Sequence, residues 1–343
     1  MDKNQYYYYG QTFQTESGEE IPDLRIAYQK WGKLNSKKDN VIWVCHAYTA
    51  NADAQDWWPG MIGPGLLMDT DRYFVICSNV IGSCYGTTGP LDLNPKTGKP
   101  WMRQFPKITV RDLVRAHEIL REWMGITKIH LIIGGSIGAF QALEWAIMFP
   151  KVIENMVFIA SNAFASPWNI AFNETQRMAI KADSSFFDDT PNGGKKGLKA
   201  ARAMALISYR NSKAYNATQK DESPSLSGNF KAVSYQNYQG EKLLKRYNAY
   251  SYVIMSHLFD SHHIGRNRGT VEEVLSRIQA KTLLIALDTD QLFPPEEQAF
   301  MAHHIPNSKL ITVKTNFGHD GFLIETDQIS NGVKTFLATV YPK

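Results

Sequence analysis

The chain has 343 residues, 43% of them hydrophobic and 20% charged, and a formal net charge of +4. That length and balance describe a globular protein with a large core and exclude a disordered chain. The small, dispersed charge and the lack of a bilayer-length apolar run leave neither nucleic acid nor a membrane as an expected partner.

The N-terminal Met1-Asp-Lys-Asn-Gln-Tyr-Tyr-Tyr-Tyr9 has no apolar core of a secretory signal. Cys45, Cys77 and Cys84 form no C-x-x-C pair and cannot all pair with one another. They are expected to be reduced core residues of a cytoplasmic protein, without a metal site. Residues 41–45 and 73–77 are apolar and β-branched enough to be buried strands. Residues 110–124 carry apolar side chains at 113, 114, 120, 123 and 124, a helical spacing that would leave Arg111, Arg115, Glu118 and Arg121 in solvent. Gly125 ends that helix, and a strand at 129–133 follows.

That strand enters Gly134-Gly-Ser136-Ile-Gly138, a G-x-S-x-G turn, and a helix at 139–149 leaves it and stops at Pro150. Strand, tight turn and helix are the context of a nucleophile elbow, with glycines to allow the turn and Ser136 at its tip. A further strand is expected at 156–160. From 167 to 265 the chain is rich in helix formers and Tyr, with loops at 191–196 and 221–228. The alternation then returns: strand 282–287, a helix from Pro295, strand 310–314 and a helix at 329–340. The pattern predicts an α/β fold with a mostly parallel sheet and flanking helices, built from residues 1–166 and 266–343. Residues 167–265 are expected to form an inserted helical lid.

A serine hydroxyl needs a base to take its proton and a third group to orient that base. With a nucleophile followed by acid and then histidine, the base is expected at His319 and the acid at Asp290, each just after a strand. Asp288 is the rival acid. His117, His262, His263, His303 and His304 lack metal-site partners and are expected at the surface or partly buried. The oxyanion hole should use the backbone N–H groups of Ile137 and Tyr48. His46 suits a loop-shaping role better than that of a base.

Beyond the elbow, the chain carries Trp57-Trp58, Met61-Ile-Gly-Pro-Gly65, Gly86-Thr-Thr-Gly-Pro90, Asn94-Pro-Lys-Thr-Gly-Lys-Pro100 and Gln141-Ala-Leu-Glu-Trp-Ala146. Later come Tyr238-Gln-Gly-Glu-Lys242, Leu292-Phe-Pro-Pro295 and Gly318-His-Asp-Gly-Phe322. With these motifs the chain resembles the homoserine O-acetyltransferases of the α/β-hydrolase superfamily over nearly its whole length. The resemblance implies Ser136 as nucleophile, Asp290 as acid and His319 as base. It also implies Arg202 on the homoserine carboxylate with Tyr209 nearby, and Asp320 on the amino group. The fit is chemical: a zwitterion needs a fixed cation and a fixed anion.

Acetyl-CoA is the implied acyl donor, with no permanently bound cofactor, and a homodimer through the lid helices is the implied assembly. Lys195, Lys196 and Lys199 are candidates to attract the donor's phosphates, a solvated charged loop being the alternative. The chain departs from the family pattern at Ile137-Gly-Ala-Phe140, Tyr48 and Asn248-Ala-Tyr250, all expected near the acyl pocket or lid. A succinyl donor, a serine acceptor, simple ester hydrolysis and a non-catalytic binding protein are the alternatives.

Overall fold

A computed structural model of the chain describes residues 3–223 and 230–340, so part of the expected 221–228 loop lies outside the described residues. Eight strands build the central sheet: β1 (Gln5–Tyr8), β2 (Arg25–Trp31), β3 (Val41–Cys45), β4 (Phe74–Ser78), β5 (Ile129–Gly135), β6 (Ile153–Ile159), β7 (Lys281–Leu287) and β8 (Ser308–Val313). Their spatial order is β1-β2-β4-β3-β5-β6-β7-β8. β1 and β2 run antiparallel, as do β2 and β4, and every later pairing is parallel.

Period-two alternation sends neighbouring side chains of one strand to opposite faces, and each face is covered. Trp43 and Cys45 of β3 join one apolar cluster with Ile132 and Met156, while Ile42 and Val44 join the other with Ile133 and Val157. Pairing of Cys45 with Gly134 and of Gly135 with Ile159 brings the ends of β3, β5 and β6 level. Their following loops therefore leave from one edge, where open sheets gather catalytic groups.

The helices of seven residues or more are α1 (Val110–Trp123), α2 (Ile137–Met148), α3 (Pro167–Ala182), α4 (Lys195–Tyr209), α5 (Ser212–Thr218), α6 (Lys231–Leu244), α7 (Ala249–Asp260), α8 (Pro295–His304) and α9 (Thr326–Val340). α1 starts on a capping box between Thr109 and Asp112 and ends at Gly125, whose φ is +67°. Its charged face differs from the expected one. Glu118 is buried, accepts a hydrogen bond from Trp145 Nε1 at 2.9 Å and pairs with Arg121. Arg111 is mostly covered and pairs with Glu16 at 2.8 Å and Glu144 at 3.4 Å. Partners from distant segments keep these groups bonded under the surface, and apolar periodicity does not reveal such partners.

Between β6 and β7 the chain forms α3 to α7. α3 begins on the Ser166–Asn169 capping box with Pro167 in its first turn. Among the described residues, no helix is long and apolar enough to cross a membrane.

Candidate active site

β5 delivers Ser136 into a backbone conformation with φ 56° and ψ −129°, and α2 starts immediately after it. The positive φ falls on the serine itself, while Gly134 and Gly138 lie outside that region. Close approach is what requires the glycines. A Cβ on Gly134 would sit 2.4 Å from the Gly138 carbonyl carbon, and one on Gly138 would sit 2.2 Å from the Cys45 oxygen. A non-glycine residue in this region costs about 1–3 kcal/mol, so the surroundings must hold it. Ser136 N donates to the Ile159 carbonyl at 3.0 Å, and its own carbonyl accepts from Ser161 Oγ and Ala139 N, both at 2.9 Å.

His319 lies in the Gly318–Asp320 turn after β8, and its Nδ1 is 2.8 Å from Asp290 Oδ2. The other Asp290 oxygen accepts from Leu292 N at 2.8 Å and Phe293 N at 3.0 Å. A carboxylate fixed in this way makes Nδ1 the donor and leaves Nε2 with a lone pair able to accept a proton. Asp288, the rival acid, is engaged elsewhere: it accepts from Thr315 N at 2.9 Å and lies 3.3 Å from Lys314 Nζ. The His319 ring is enclosed by Phe293, Phe322 and Tyr209, with ring centroids 5.4–5.8 Å away.

Ser136 and His319 line one cavity of about 440 Å³, together with Tyr48, Arg202, Tyr209 and Asp320. All the side chains singled out for nucleophile, base and acceptor binding thus meet there, with Asp290 behind the ring. Among the described residues, neither the Tyr48 nor the Ile137 N–H has an acceptor in the protein, as an oxyanion donor requires.

The two segments carrying those N–H groups are cross-linked by Gln141. Its Nε2 donates to the His46 carbonyl at 3.0 Å and to the Ile137 carbonyl at 3.2 Å. Its Oε1 lies 3.0 Å from His117 Nε2, and His117 Nδ1 lies 2.8 Å from Ser78 Oγ. Sequence reasoning quoted Gln141 only within a motif. Its signal was a polar side chain inside the apolar run of α2. His46 ties its own loop, with Nδ1 2.9 Å from the Ala47 carbonyl and Nε2 accepting from Val80 N at 3.2 Å. Burial pushes both His46 and His117 down to about 4.

His117 and His262 are therefore core histidines, contrary to the expected surface or partly buried placement. His262 stacks on Phe140 at 3.9 Å, and burial pushes it down to about 3. Phe140 packs into this aromatic group with Phe259 and Phe293 and does not line the cavity. Nor does Tyr250, which packs on Phe186, so of the departing side chains Tyr48 is the one facing the site.

Asp320 pairs with Arg210 at 2.8 Å, a partner the sequence reading did not include. Burial raises its carboxyl above the ordinary range, opposed by Arg210 and Arg202. Arg202 lies 5.7 Å from the Tyr209 ring centroid and has no carboxylate partner among the described residues. Lys195, Lys196 and Lys199 do not line the cavity, and Lys199 pairs with Glu241 at 2.7 Å. Beside Ser136 lies a second recess of about 20 Å³, walled by Tyr48, Phe172, Gln176, Ser208 and Leu292 among others, with no cationic side chain among the described residues.

The family model described as alpha/beta hydrolase fold matches residues 40–326. A homoserine O-acetyltransferase of Cyclobacterium marinum is 45% identical over 96% of this chain and 94% of its own length. One from Chlorobaculum parvum is 44% identical over 93% and 90%. Among solved structures, a homoserine O-acetyltransferase from Bacillus anthracis superposes with a TM-score of 0.91 at 26% identity, covering 98% of this chain and 97% of that one. Esterase E22 superposes with a TM-score of 0.89 at 25% identity, covering 98% and 100%. The chain belongs to the homoserine O-acetyltransferase family of α/β-hydrolase-fold proteins.

Proposed function

We propose that this chain transfers the acetyl group of acetyl-CoA to the γ-hydroxyl of L-homoserine through an acyl-serine intermediate, as in methionine biosynthesis. His319 Nε2 takes the Ser136 proton as Oγ attacks the thioester carbonyl. The oxyanion sits on the Tyr48 and Ile137 N–H groups, and collapse expels CoA, whose sulfur takes the proton back from His319. The homoserine hydroxyl then gives its proton to His319, attacks the acyl-serine and leaves as the acetyl ester, with the proton returned to Ser136.

The observation that carries this reading is the placement of Arg202, which has no carboxylate partner among the described residues, and of the carboxylate Asp320 in the same cavity as Ser136 and His319. Such a pair matches the carboxylate and ammonium of an amino-acid acceptor. The 20 Å³ recess supports acetyl over succinyl: it is little larger than one water, and a buried succinyl carboxylate would find no cation there. Under this reading the 167–265 insertion is a lid that admits homoserine and limits water. Exposed Met204, Ile207, Val233 and Tyr238 on α4 and α6 support a homodimer formed through those helices, and the enzyme would work in the cytoplasm.

Incubation with acetyl-CoA tests the reaction: thiol release should require homoserine and yield O-acetylhomoserine. Release of equal rate without homoserine would favour ester or thioester hydrolysis, the second reading, which the likeness to esterase E22 motivates. Sedimentation of Ile207→Asp should show loss of the dimer.

A further inference from the structure

We infer that Lys242 and Arg246 form an anion-binding rim on the mouth of the Ser136 cavity, and that this rim holds the phosphates of the nucleotide-bearing acyl donor. The inference rests on the proposed use of an acyl-CoA. Both side chains line the cavity that Ser136 and His319 close at its floor. The floor is buried, with Ser136 at 6% and His319 at 3% exposure, whereas Lys242 and Arg246 are exposed. A donor whose thioester reaches Ser136 therefore leaves its other, phosphate-bearing end at the level of these two cations.

The two cations differ in how they are held. Lys242 occupies the last turn of α6 and has no ion-pair partner among the described residues. Its neighbour Glu241 is turned to Lys199 at 2.7 Å, which removes the nearest competing carboxylate on the helix. Arg246 follows α6 and is anchored through one guanidinium nitrogen, which donates to the Thr49 carbonyl and the Tyr85 hydroxyl. Neutral acceptors fix its position without cancelling its charge, so the remaining N–H groups are presented for an anion.

The local charge balance supports the same assignment. Arg202, Lys242 and Arg246 face the cavity against two carboxylates, Asp56 and Asp320, and Asp320 is already paired with Arg210. Asp56 is exposed, so water and salt screen its repulsion. The C-terminal end of α6 places partial negative charge nearby, an effect that the two full positive charges outweigh. With Arg202 over the Tyr209 ring that packs on His319, a division of labour follows: the inner arginine takes a carboxylate and the outer pair takes phosphate.

Calorimetric binding of CoA and of pantetheine, which shares the thiol arm but has no nucleotide, tests the rim on the full chain. Wild-type protein should bind CoA at least tenfold more tightly than pantetheine. Lys242→Gln should weaken CoA about fivefold, and Lys242→Gln with Arg246→Gln about 20-fold, with pantetheine changed less than twofold. Raising the salt concentration should erase the CoA advantage of the wild type and leave the double variant little changed. Equal losses for CoA and pantetheine, or an unchanged CoA affinity in Lys242→Gln, would overturn the inference. Arg246→Lys, which keeps the charge, separates a folding defect from a charge effect: it should retain most of the CoA affinity. Homoserine-dependent thiol release by the wild type tests the reaction itself, so failure of the rim and failure of the reaction give different results.

Discussion

Two walls face each other across the Ser136 cavity, and they are built on different principles. The α/β wall places Ser136, His319 and the Gln141 brace on strand ends and a buried helix, with polar atoms bonded at 2.8–3.2 Å. Among the described residues, the helical wall presents Arg202 and Lys242 with no carboxylate partner and Tyr209 against His319. A wall with fixed hydrogen bonds suits a reaction whose charge moves along one set path. One with uncommitted charges suits selection among reactants. On the proposed function, the first sets the chemistry and the second sets its partners.

The largest test of that contrast is Ser136→Ala. It should lower homoserine-dependent thiol release by about 10⁴-fold or more, with the thermal midpoint little changed. A rate within tenfold of the wild type would remove Ser136 from the reaction.

Next comes the brace. Gln141→Leu frees the His46 and Ile137 carbonyls and should cost about 1–3 kcal/mol of stability in thermal or urea unfolding. Because both proposed oxyanion donors lie on the segments it joins, kcat should fall about 10–100-fold at a nearly constant KM. Wild-type kcat in a destabilised variant would make the brace purely structural.

Acid should loosen both sides of the seam, because buried histidines lie in the α/β core and in the helical insertion alike. Buried His46, His117 and His262 sit at about 4, about 4 and about 3 against an ordinary 6.5. Between those values the unfolded chain binds protons that the folded one refuses, so stability rises with pH. Their contribution is complete above about pH 6.5 and is lost as pH falls toward 4. Glu297, which burial pushes up to about 7, acts in the opposite sense, its contribution being lost as pH rises through 7. Thermal midpoints from pH 7.5 down to 4.5 should therefore decline, and His262→Phe should make the decline shallower. An unchanged slope would show that His262 titrates normally.

The smallest effect is expected at Tyr48→Phe. The Tyr48 hydroxyl donates to the Tyr252 carbonyl on α7 at 2.6 Å, in the buried seam between the walls. Its removal should cost about 1–2 kcal/mol in unfolding and leave the acetyl transfer rate within a few-fold. A loss matching that of Gln141→Leu would mean that the seam itself sets the rate.

The turn at Ser136 and the placement of Asp290 and His319 were legible because each follows a strand, and strand runs are visible as apolar β-branched stretches. The change from strands to helices at 167 was legible through composition. The buried polar groups were not. His117, Glu118 and Arg111 lie on a helix whose apolar spacing sends them to solvent, and their partners Ser78, Trp145 and Glu144 come from other elements. Periodicity reports which side chains avoid water, and a fully bonded polar side chain leaves no such trace. The positive φ at Ser136 was hidden for a similar reason. The glycines around it suggested their own freedom, but they serve to let Cys45 and the elbow backbone approach.

Tyr48 belongs to both walls at once. Its main chain belongs to the loop after β3, its N–H has no acceptor among the described residues, and its hydroxyl is moored on α7. The residue acts as a tie rod: one hydrogen bond joins the strap after β3 to α7 across the buried seam. On the proposed function, one backbone donor is thereby held from the helical insertion as well as from the sheet.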